Sequence, residues 1–341
     1  MKKYLFQEEG NFYKTNLHCH TTMSDGRLSP LEVKELYKSL GYSAVAFTDH
    51  DILIDQKELC DEDFIALNGF EVEINEPNWK NRYTVKACHI CFVALDPENI
   101  TQPFWSEKYL FGNAKVNASL VKKDESEPEY IRYYTGEDIS KMMQEGREKG
   151  FFVTYNHPAW SMEPYTTYMS YNGMNAFEMY NGSCLTDGYE DYNPRVYTDM
   201  LMGGKRLYCI GGDDNHNLHP NTTRKGDSGV AWTMIKADKL DYKSLTKSLT
   251  DGQFYCSCGP EIYELTVEDG KISIKCSEAD RVVCNYGIRR AETVANDDYS
   301  AVTEAEFSFK PDDEYFRITV FGKDGKTAST NAYFADDLFA E

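Results

Sequence analysis

The sequence predicts an α/β domain with parallel strands, followed by a smaller all-β region. Through about residue 250, short apolar segments typical of strands alternate with amphipathic helical segments, which is the pattern of successive βα units. After residue 260 the helical pattern stops, and short alternating segments separated by Asp-Gly turns continue to residue 341. That second pattern is typical of a β-sandwich. With 341 residues, 41% of them hydrophobic, the chain can bury a substantial core.

The first helix has the clearest boundaries. Ser29 is placed as its N-cap, Pro30 at the first helical position and Glu32 three residues after the cap, which is the arrangement of a capping box. Gly41 marks the end of this helix. The strands predicted before and after it cover residues 12–18, 42–50, 64–74 and 85–95.

Residues 96–134 interrupt the alternation with Pro, Asn, aromatic and charged residues. We interpret this segment as an insertion with one helix and as a candidate lid over a site. The elements predicted after it are a helix over 136–150, strands over 151–157 and 176–182, a helix over 192–204, strands over 206–216 and 229–237, and a helix over 240–252. A domain boundary near residue 260 then divides the chain into 1–259 and 260–341.

Charge and cysteine content limit the partners. The chain carries 36 basic and 56 acidic residues, a net charge of −20, with no basic stripe, so we expect a small-molecule substrate and no nucleic acid. No apolar run reaches the length of a membrane span, and we expect no membrane partner. Since residues 1–14 lack the pattern of a signal peptide, we expect a cytoplasmic protein whose ten cysteines are reduced. The oligomeric state is open.

Titratable side chains recur at or near the ends of the predicted strands. They are His18, His20, Asp49, His50, Glu71, His89, His157, Asp214 and His216. They include six of the seven histidines, and only His219 is left over. Because the carboxyl ends of the strands in a parallel α/β barrel meet on one face, we expect these side chains to lie close together.

Spacing and residue type indicate metal binding. Residues i and i+2 of a strand point the same way, so His18 and His20 can bind one ion together, whereas Cys19 points toward the helices. Taken alone, any one of these histidines is more often a hydrogen-bonded residue than a ligand. Together they would bury many titratable groups without partners, unless metal ions bind them. A mixture of His and carboxylate without thiolates fits a hydrolytic Zn, Mn or Fe centre.

Six segments in order resemble the successive motifs of the polymerase and histidinol phosphatase (PHP) superfamily of metal-dependent phosphoesterases. They are HCHTTMSDG, FTDHD, GFEVEI, HI, YNHP and GGDDNH, within about residues 14–255. The resemblance implies a distorted (β/α)7, TIM-like barrel followed by a small all-β, sandwich-like domain. The later segment GQFYCSCGPEI is similar to the end of the barrel in a PHP branch with an appended β-domain. Some members of that branch are thought to hydrolyse carboxyl or carbamate esters with the same metals.

The resemblance also implies two or three divalent ions. The implied ligands are His18, His20, Glu71 and Asp214 for a first ion, Glu71, His89 and His157 for a second, and Asp25, His50 and His216 for a third. Asp25 stands where other members carry His or Asp.

The predicted nucleophile is a metal-bound hydroxide, held by Glu71, Asp214 and His157, that attacks phosphorus without a covalent enzyme intermediate. Asp49, beside His50, is predicted to orient a metal ligand without binding the metal itself. Arg224 and Lys225, in the loop after the last motif, are candidates for binding a phosphate oxygen.

Four functions remain open at this point. The first is a phosphoesterase acting on a small phosphorylated substrate, and the second is a carboxyl or carbamate esterase or amidase on the same metals. The third is a non-catalytic metal- or ligand-binding protein. The intact set of motif residues argues against it. A polymerase-associated nuclease is disfavoured by the net charge of −20.

Overall fold

The computed structural model describes residues 2–77 and 84–339. The strands of the first part are β1 Lys3–Tyr4, β2 Asn11–Asn16, β3 Ala44–Phe47, β4 Ile65–Asn75, β5 Ala87–Ala94, β6 Phe151–Asn156, β7 Ala176–Asn181, β8 Tyr208–Gly212, β9 Trp232–Ala237 and β10 Phe254–Ser257. The strands of the second part are β11 Ile262–Glu268, β12 Lys271–Ala279, β13 Arg281–Tyr286, β14 Ala291–Val294, β15 Val302–Ser308, β16 Tyr315–Phe321, β17 Thr327–Thr330 and β18 Tyr333–Phe334. The helices are α1 Pro30–Ser39, α2 Ala114–Asn117, α3 Gly136–Glu148, α4 Tyr165–Tyr168, α5 Gly182–Asp187, α6 Pro194–Met202, α7 Tyr242–Thr250 and α8 Ala335–Leu338. Over the described ranges, every helix is too short or too polar to cross a membrane.

Local sequence signals explain the long helices. At the start of α1 the Ser29 hydroxyl accepts from the Glu32 backbone N–H, and the Glu32 carboxylate accepts from the Ser29 N–H, so the predicted capping box is present. Thr135 caps α3 and Asp241 caps α7 in the same way, through their side-chain oxygens. The short helices α4 and α5 were not predicted, because four and six residues are too few to show a helical period.

The α/β part is built on one large mixed sheet. Its strand order is β14-β13-β16-β17-β10-β9-β2-β3-β4-β5-β6-β7-β8, and β18 pairs with β16. The pairs β2–β3, β3–β4, β6–β7 and β7–β8 are parallel, as predicted. However, β5 runs antiparallel to both β4 and β6. The prediction of parallel strands was therefore wrong at β5, and also at β9, which runs antiparallel to β2 and β10. For β5 the sequence separation explains the difference, because the residues 76–86 between β4 and β5 are fewer than the roughly dozen or more that a parallel crossover needs.

Strand β8, at one end of the large sheet, lies beside β9, which precedes β2 in the strand order. The Gly211 N–H in β8 donates to Thr233 Oγ1 in β9 over 3.1 Å, and the same hydroxyl donates to the Gly211 carbonyl over 2.9 Å. A Cβ added at Gly211 would lie 3.0 Å from the Trp232 carbonyl oxygen, a tight contact that a larger residue could make only with a small shift of its neighbours. Within the described ranges, β8 and β9 are therefore not paired by backbone hydrogen bonds, and the Thr233 side chain links them instead.

The C-terminal strands form two layers around their own core. The sheet β1-β11-β12-β15 packs against β13, β16 and β17, which continue the large sheet from β10. Along β12, Ile272, Ile274 and Cys276 are buried and alternate with more exposed residues, as expected for one face of a sandwich. The pairs β10–β17 and β1–β11 both connect the two sides of residue 260. The domain boundary near residue 260 stays a prediction. Residues 1, 340 and 341, at the outer ends of the two predicted domains, lie outside the described ranges.

The cysteines serve the packing. All ten are free thiols, and nine of them are buried. Burial raises the pKa of Cys19, Cys88 and Cys284 above the ordinary range, which makes these thiols poor nucleophiles. The reduced state of the cysteines stays a prediction.

Candidate metal centre

The first two histidines follow directly from the end of β2. His18 and His20 are buried and point to the same side of the extended backbone. Cys19, between them, packs on the other side in a cluster with Val33 and Tyr37 of α1. The period of two in an extended chain therefore separates ligand candidates from packing residues, as predicted.

Glu71 in β4 lies at the centre of the site. Its carboxylate oxygens lie within 3.4 Å of five imidazole nitrogens: His18 Nε2 at 3.1 Å, His20 Nε2 at 3.3 Å, His50 Nδ1 at 3.1 Å, His89 Nδ1 at 3.0 Å and His157 Nε2 at 3.4 Å. His89 reaches this position because it lies near the start of β5, and the reversed direction of that strand brings its start to the carboxyl end of β4. Asp214 completes the centre, with Oδ1 3.2 Å from His18 Nε2 and 3.0 Å from His20 Nε2.

The spacing of these atoms fits a shared cation. His18 Nε2 and His20 Nε2 lie 3.2 Å apart. Ligand atoms bound at about 2.0–2.1 Å from one ion are about 2.8–3.0 Å from one another in octahedral geometry and about 3.3–3.4 Å in tetrahedral geometry. Moreover, His50 Nδ1, His157 Nε2 and Glu71 Oε2 are buried without a hydrogen-bond partner among the described residues. Such groups are costly to bury unpaired, and a divalent ion would satisfy them.

The candidate ligands fall into four groups in which every ligand atom lies within 4.8 Å of the others. The groups are His18, His20 and Asp214; His18, Glu71 and His157; His50, Glu71 and His89; and His20, Asp25, His50 and His216. The first and last groups contain most of the residues implied for the first ion and all of those implied for the third. The set implied for the second ion is divided between the two middle groups, which share Glu71. The assignment of ligands to particular ions stays a prediction.

The electrostatics of the centre favour cation binding. Burial opposes ionisation of Glu71, but His18, His89 and His50 hold its pKa well below the usual range. Burial likewise opposes ionisation of Asp214, and His18 and His20 lower its pKa. Burial lowers the pKa of His50 to about 4, so that ring is neutral near pH 7 and has a free lone pair. The centre thus presents ionised carboxylates and at least one neutral imidazole to an ion.

Two candidate ligands have an unusual backbone conformation. His157 has φ of 27° and Asp214 has φ of 51°, in the left-handed region that non-glycine residues rarely adopt. His157 directly follows β6, and Asp214 lies two residues after the end of β8. Both positions are on the side of the sheet where the site lies. Strained positions of this kind cluster at functional sites, where the surrounding structure holds them.

Glu178 and Asn181 belong to the site but were not predicted. Glu178 in β7 is fully buried, and its Oε1 lies 2.9 Å from His18 Nδ1. The Asn181 side-chain amide donates to Glu178 Oε2 over 2.9 Å and to Asp214 Oδ2 over 3.1 Å. A proton on Nδ1 of His18 is held by Glu178, which leaves Nε2 free to bind a metal. The signal in the sequence was a lone acid within the apolar strand segment 176–182.

We expect the E178Q variant to bind divalent metal about 10–100-fold more weakly than wild type, since loss of a carboxylate behind a histidine ligand has effects of that size. Competition against a fluorescent chelator measures this. E278Q, which makes the same change at an exposed position, is the control. Equal affinity of E178Q and E278Q would show that Glu178 does not position His18.

Asp49 lies behind the loop that joins two ligand candidates. Its carboxylate accepts from the Thr21 N–H and hydroxyl, each over 2.8 Å, and from the Ser24 N–H and hydroxyl over 3.1 and 2.6 Å. These bonds fix the turn between His20 and Asp25. The structure therefore places Asp49 as an anchor of the loop backbone, whereas the sequence predicted that it orients a ligand.

A cavity of about 170 Å³ opens over the centre. Besides the candidate ligands, Trp160, Ser183, Cys184, Asp187 and Leu218 line it, and none of its described lining residues is Lys or Arg. Arg224 and Lys225 are exposed and do not line this cavity. Asp227, two residues after Lys225, accepts hydrogen bonds from the backbone N–H groups of His216 and Asn217. The structure does not bring the two predicted substrate contacts to the site.

The insertion over 96–134 packs against the loops that carry the candidate ligands. The ring of Phe111 lies 4.8 Å from that of His50. The Asn113 N–H donates to the Ser24 carbonyl over 2.8 Å. Arg132 forms a buried ion pair with Asp51 and donates to the Glu73 carbonyl over 3.0 Å. The predicted lid segment therefore covers one side of the site, although its motion stays a prediction.

Comparison with known proteins gives partial similarities. No family model matches the chain. A curated 5′-3′ exoribonuclease of Haemophilus influenzae is 36% identical over 73 residues, which are 20% of this chain and 26% of that protein. The chain thus matches about a quarter of the length of this relative.

Three solved structures resemble the fold at low sequence identity. A two-domain protein from Bacteroides vulgatus, described as containing a predicted PHP-like metal-dependent phosphoesterase, is 15% identical with a TM-score of 0.45, over 97% of both chains. A proposed metal-dependent phosphoesterase from Bifidobacterium adolescentis is 16% identical with a TM-score of 0.38, over 62% of this chain and 89% of that one. An amidohydrolase from Chromobacterium violaceum is 18% identical with a TM-score of 0.38, over 59% of this chain and 87% of that one.

Proposed function

We propose that the protein is a metal-dependent hydrolase of the PHP type, and that it acts as a phosphoesterase on a small phosphorylated substrate. The observation that carries the proposal is the position of Glu71, whose two oxygens lie within 3.4 Å of five imidazole nitrogens. A cluster of carboxylates and imidazoles without thiolates is suited to catalytic rather than structural ions. A small substrate agrees with the small cavity of about 170 Å³.

The proposal includes a distorted (β/α)7 barrel as the scaffold. Seven strands, β2 to β8, follow one another in the sheet, and Thr233 of β9 connects the last of them back to the start. The C-terminal strands would then form an appended β-sandwich from about residue 260. A barrel of this kind would explain why the candidate ligands of successive strands meet at one end.

In this proposal each residue near the centre has a defined role. Two or three divalent ions (Zn, Mn or Fe) would be held by the four ligand groups, and when bound they supply charge stabilisation and acidify a water molecule. Glu178 orients His18, and Asp49 fixes the loop before Asp25. The Trp160 ring packs edge-on against His89 and His157, with centroid distances of 5.0 and 5.3 Å, and keeps water from that side of the ligands.

Activity is expected to depend on a divalent ion and to be directed at phosphoesters. Chelation should abolish turnover, and one of Zn, Mn or Fe should restore it. The assay uses chelator-treated, reconstituted protein with phosphomonoesters, phosphodiesters, aryl carboxyl esters and aryl amides. Single-stranded RNA is added to the panel because the Haemophilus influenzae relative is named an exoribonuclease. Turnover that survives complete metal removal would contradict the proposal.

A carboxyl or carbamate esterase or amidase is the second candidate. The observation that favours it is the absence of Lys and Arg from the described lining of the cavity, where a phosphoesterase commonly uses such groups beside its metals. Turnover of aryl carboxyl esters or amides without any phosphoester hydrolysis would select this candidate. If the protein binds metal but turns over no substrate in the panel, it is a non-catalytic binding protein.

The cellular setting is also part of the proposal. Ten free thiols suit a reducing compartment, and we propose a cytoplasmic protein. The net charge of −20 is unsuited to a nucleic acid partner.

A further inference from the structure

A second cavity lies at the opposite ends of the barrel strands. It has a volume of about 420 Å³ and is therefore larger than the cavity over the metal centre. Its wall includes Asn175 before β7, Tyr208 at the start of β8 and Gln253 before β10. The metal centre lies beyond the other ends of the same strands. The cavity is closed by the C-terminal segment 331–338, and we refer to it as the interface cavity.

Two arginines line the interface cavity. Arg206 pairs with Asp336 and with Asp337 of α8, and its guanidinium stacks over the Phe334 ring at 4.3 Å. Arg147, near the end of α3, is exposed and has no ion-pair partner among the described residues. Two carboxylates also line the cavity, Asp337 and Asp251, and Asp251 pairs with Lys247 of α7. The cavity thus offers one unpaired cation, Arg147, and a second cation, Arg206, whose carboxylate partners are themselves half-exposed or more.

The rest of the wall combines apolar side chains with one hydroxyl group that has no hydrogen-bond partner among the described residues. Leu5, Met174 and Leu207 supply apolar contacts. The Tyr333 hydroxyl is buried and has no hydrogen-bond partner among the described residues. By contrast, the Asn331 side chain is fully used, since it donates to the Gly252 and Phe254 carbonyls and accepts from the Cys209 N–H. A buried hydroxyl without a partner is unusual in a folded protein and is satisfied by a ligand or a water molecule.

We propose that the interface cavity is a second binding site, for a small organic anion with an apolar body. The carboxylate or phosphate group is held by Arg147 and Arg206, and the body lies against the leucine and methionine side chains. Tyr333 donates its hydroxyl to the ligand. Asp336 and Asp337 compete with the ligand for Arg206, so binding loosens the hold of Arg206 on α8. This site is separate from the proposed hydrolase centre and does not depend on its chemistry.

Isothermal titration of the full-length protein with benzoate, phenyl phosphate and benzamide tests the proposal. We expect at least one of the two anions to bind at concentrations below about 10 mM, and neutral benzamide not to bind. R147Q and R206Q should each weaken that binding by about tenfold or more, because each removes a charged hydrogen-bond donor. Replacing both Asp336 and Asp337 with Asn should strengthen it by up to about fivefold, since exposed ion pairs of this kind are weak competitors.

The control variants assign the binding to this cavity. K141Q makes the same charge change on an exposed face of α3 and should bind like wild type. Because Arg147 is exposed and unpaired, R147Q is expected to fold even if R206Q does not. Y333F should weaken binding while leaving metal content unchanged. The proposal is overturned if neither anion binds, or if R147Q and K141Q bind the anion equally well, which would place the anion at the metal centre or elsewhere.

Discussion

The E71Q variant is expected to lose hydrolase activity by about a thousandfold or more and to retain less divalent metal than wild type. Metal ions contribute several kcal/mol of transition-state stabilisation, and each 1.36 kcal/mol corresponds to about tenfold in rate. Glutamine preserves the shape of Glu71 but replaces one oxygen with an NH₂ group that cannot bind a cation. The Glu71 carboxylate lies within 3.4 Å of five imidazole nitrogens, more than any other carboxylate in the described part of the chain.

Metal analysis by mass spectrometry and steady-state kinetics on the same preparations measure this effect. E58Q makes the same chemical change at an exposed position of the chain and should match wild type in both measurements. Circular dichroism establishes that E71Q is folded. An E71Q protein with full metal content and full activity would remove the basis for placing the catalytic centre at Glu71.

The R132M variant is expected to be less stable than wild type by about 3–5 kcal/mol, the usual cost of leaving one member of a buried ion pair alone. Both side chains of the Arg132–Asp51 pair are 2% exposed. Burial raises the pKa of Asp51, and Arg132 lowers it, so the guanidinium is needed to keep this carboxylate ionised. The guanidinium also lies over the Tyr109 ring at 4.2 Å, within the insertion.

Urea denaturation of metal-free protein measures the loss of stability. K108M, which removes an exposed lysine from the same insertion, should change the free energy of unfolding by less than about 0.5 kcal/mol. The double variant D51N/R132M should recover part of the loss, because no charge is then left unpaired. If R132M and K108M prove equally stable, the ion pair does not hold the insertion against the site.

Local sequence signals were sufficient for the long helices and for most residue types of the site. The capping box at Ser29 and Glu32 depends on residues three positions apart, and it is present in the structure. Likewise, the separation of His18 and His20 from Cys19 follows from the two-residue period of an extended chain. The gathering of most of these His, Asp and Glu side chains followed from the pattern of strand ends, but His89 lies near the start of β5 and reaches the site only because that strand is reversed.

Contacts between distant segments could not be read in this way. The reversed direction of β5 depends on how its neighbours pair, and no residue within the strand specifies it. Glu178 lies 160 positions from its partner His18, and Arg132 lies 81 positions from Asp51. In the sequence, a single acidic residue in a strand looks the same whether or not it has a distant partner, and so does a single arginine in an insertion. Arg224 and Lys225 are exposed and do not line the cavity, and their role in binding substrate stays a prediction.

The sequence by itself determined the α/β and all-β parts of this protein, the ends of its main helices and the set of residues that could bind metal. The elements and the helix ends depend on periodicity and capping, which act over at most four residues. The candidate metal ligands rest instead on residue type at the strand ends and on the resemblance to the PHP motifs. Only the tertiary structure decided the direction of β5, the central position of Glu71, the residues behind the ligands and the interface cavity beside Arg147 and Arg206. Each of these depends on strand register and packing across the whole chain, where one residue of shift would turn every side chain to the other face.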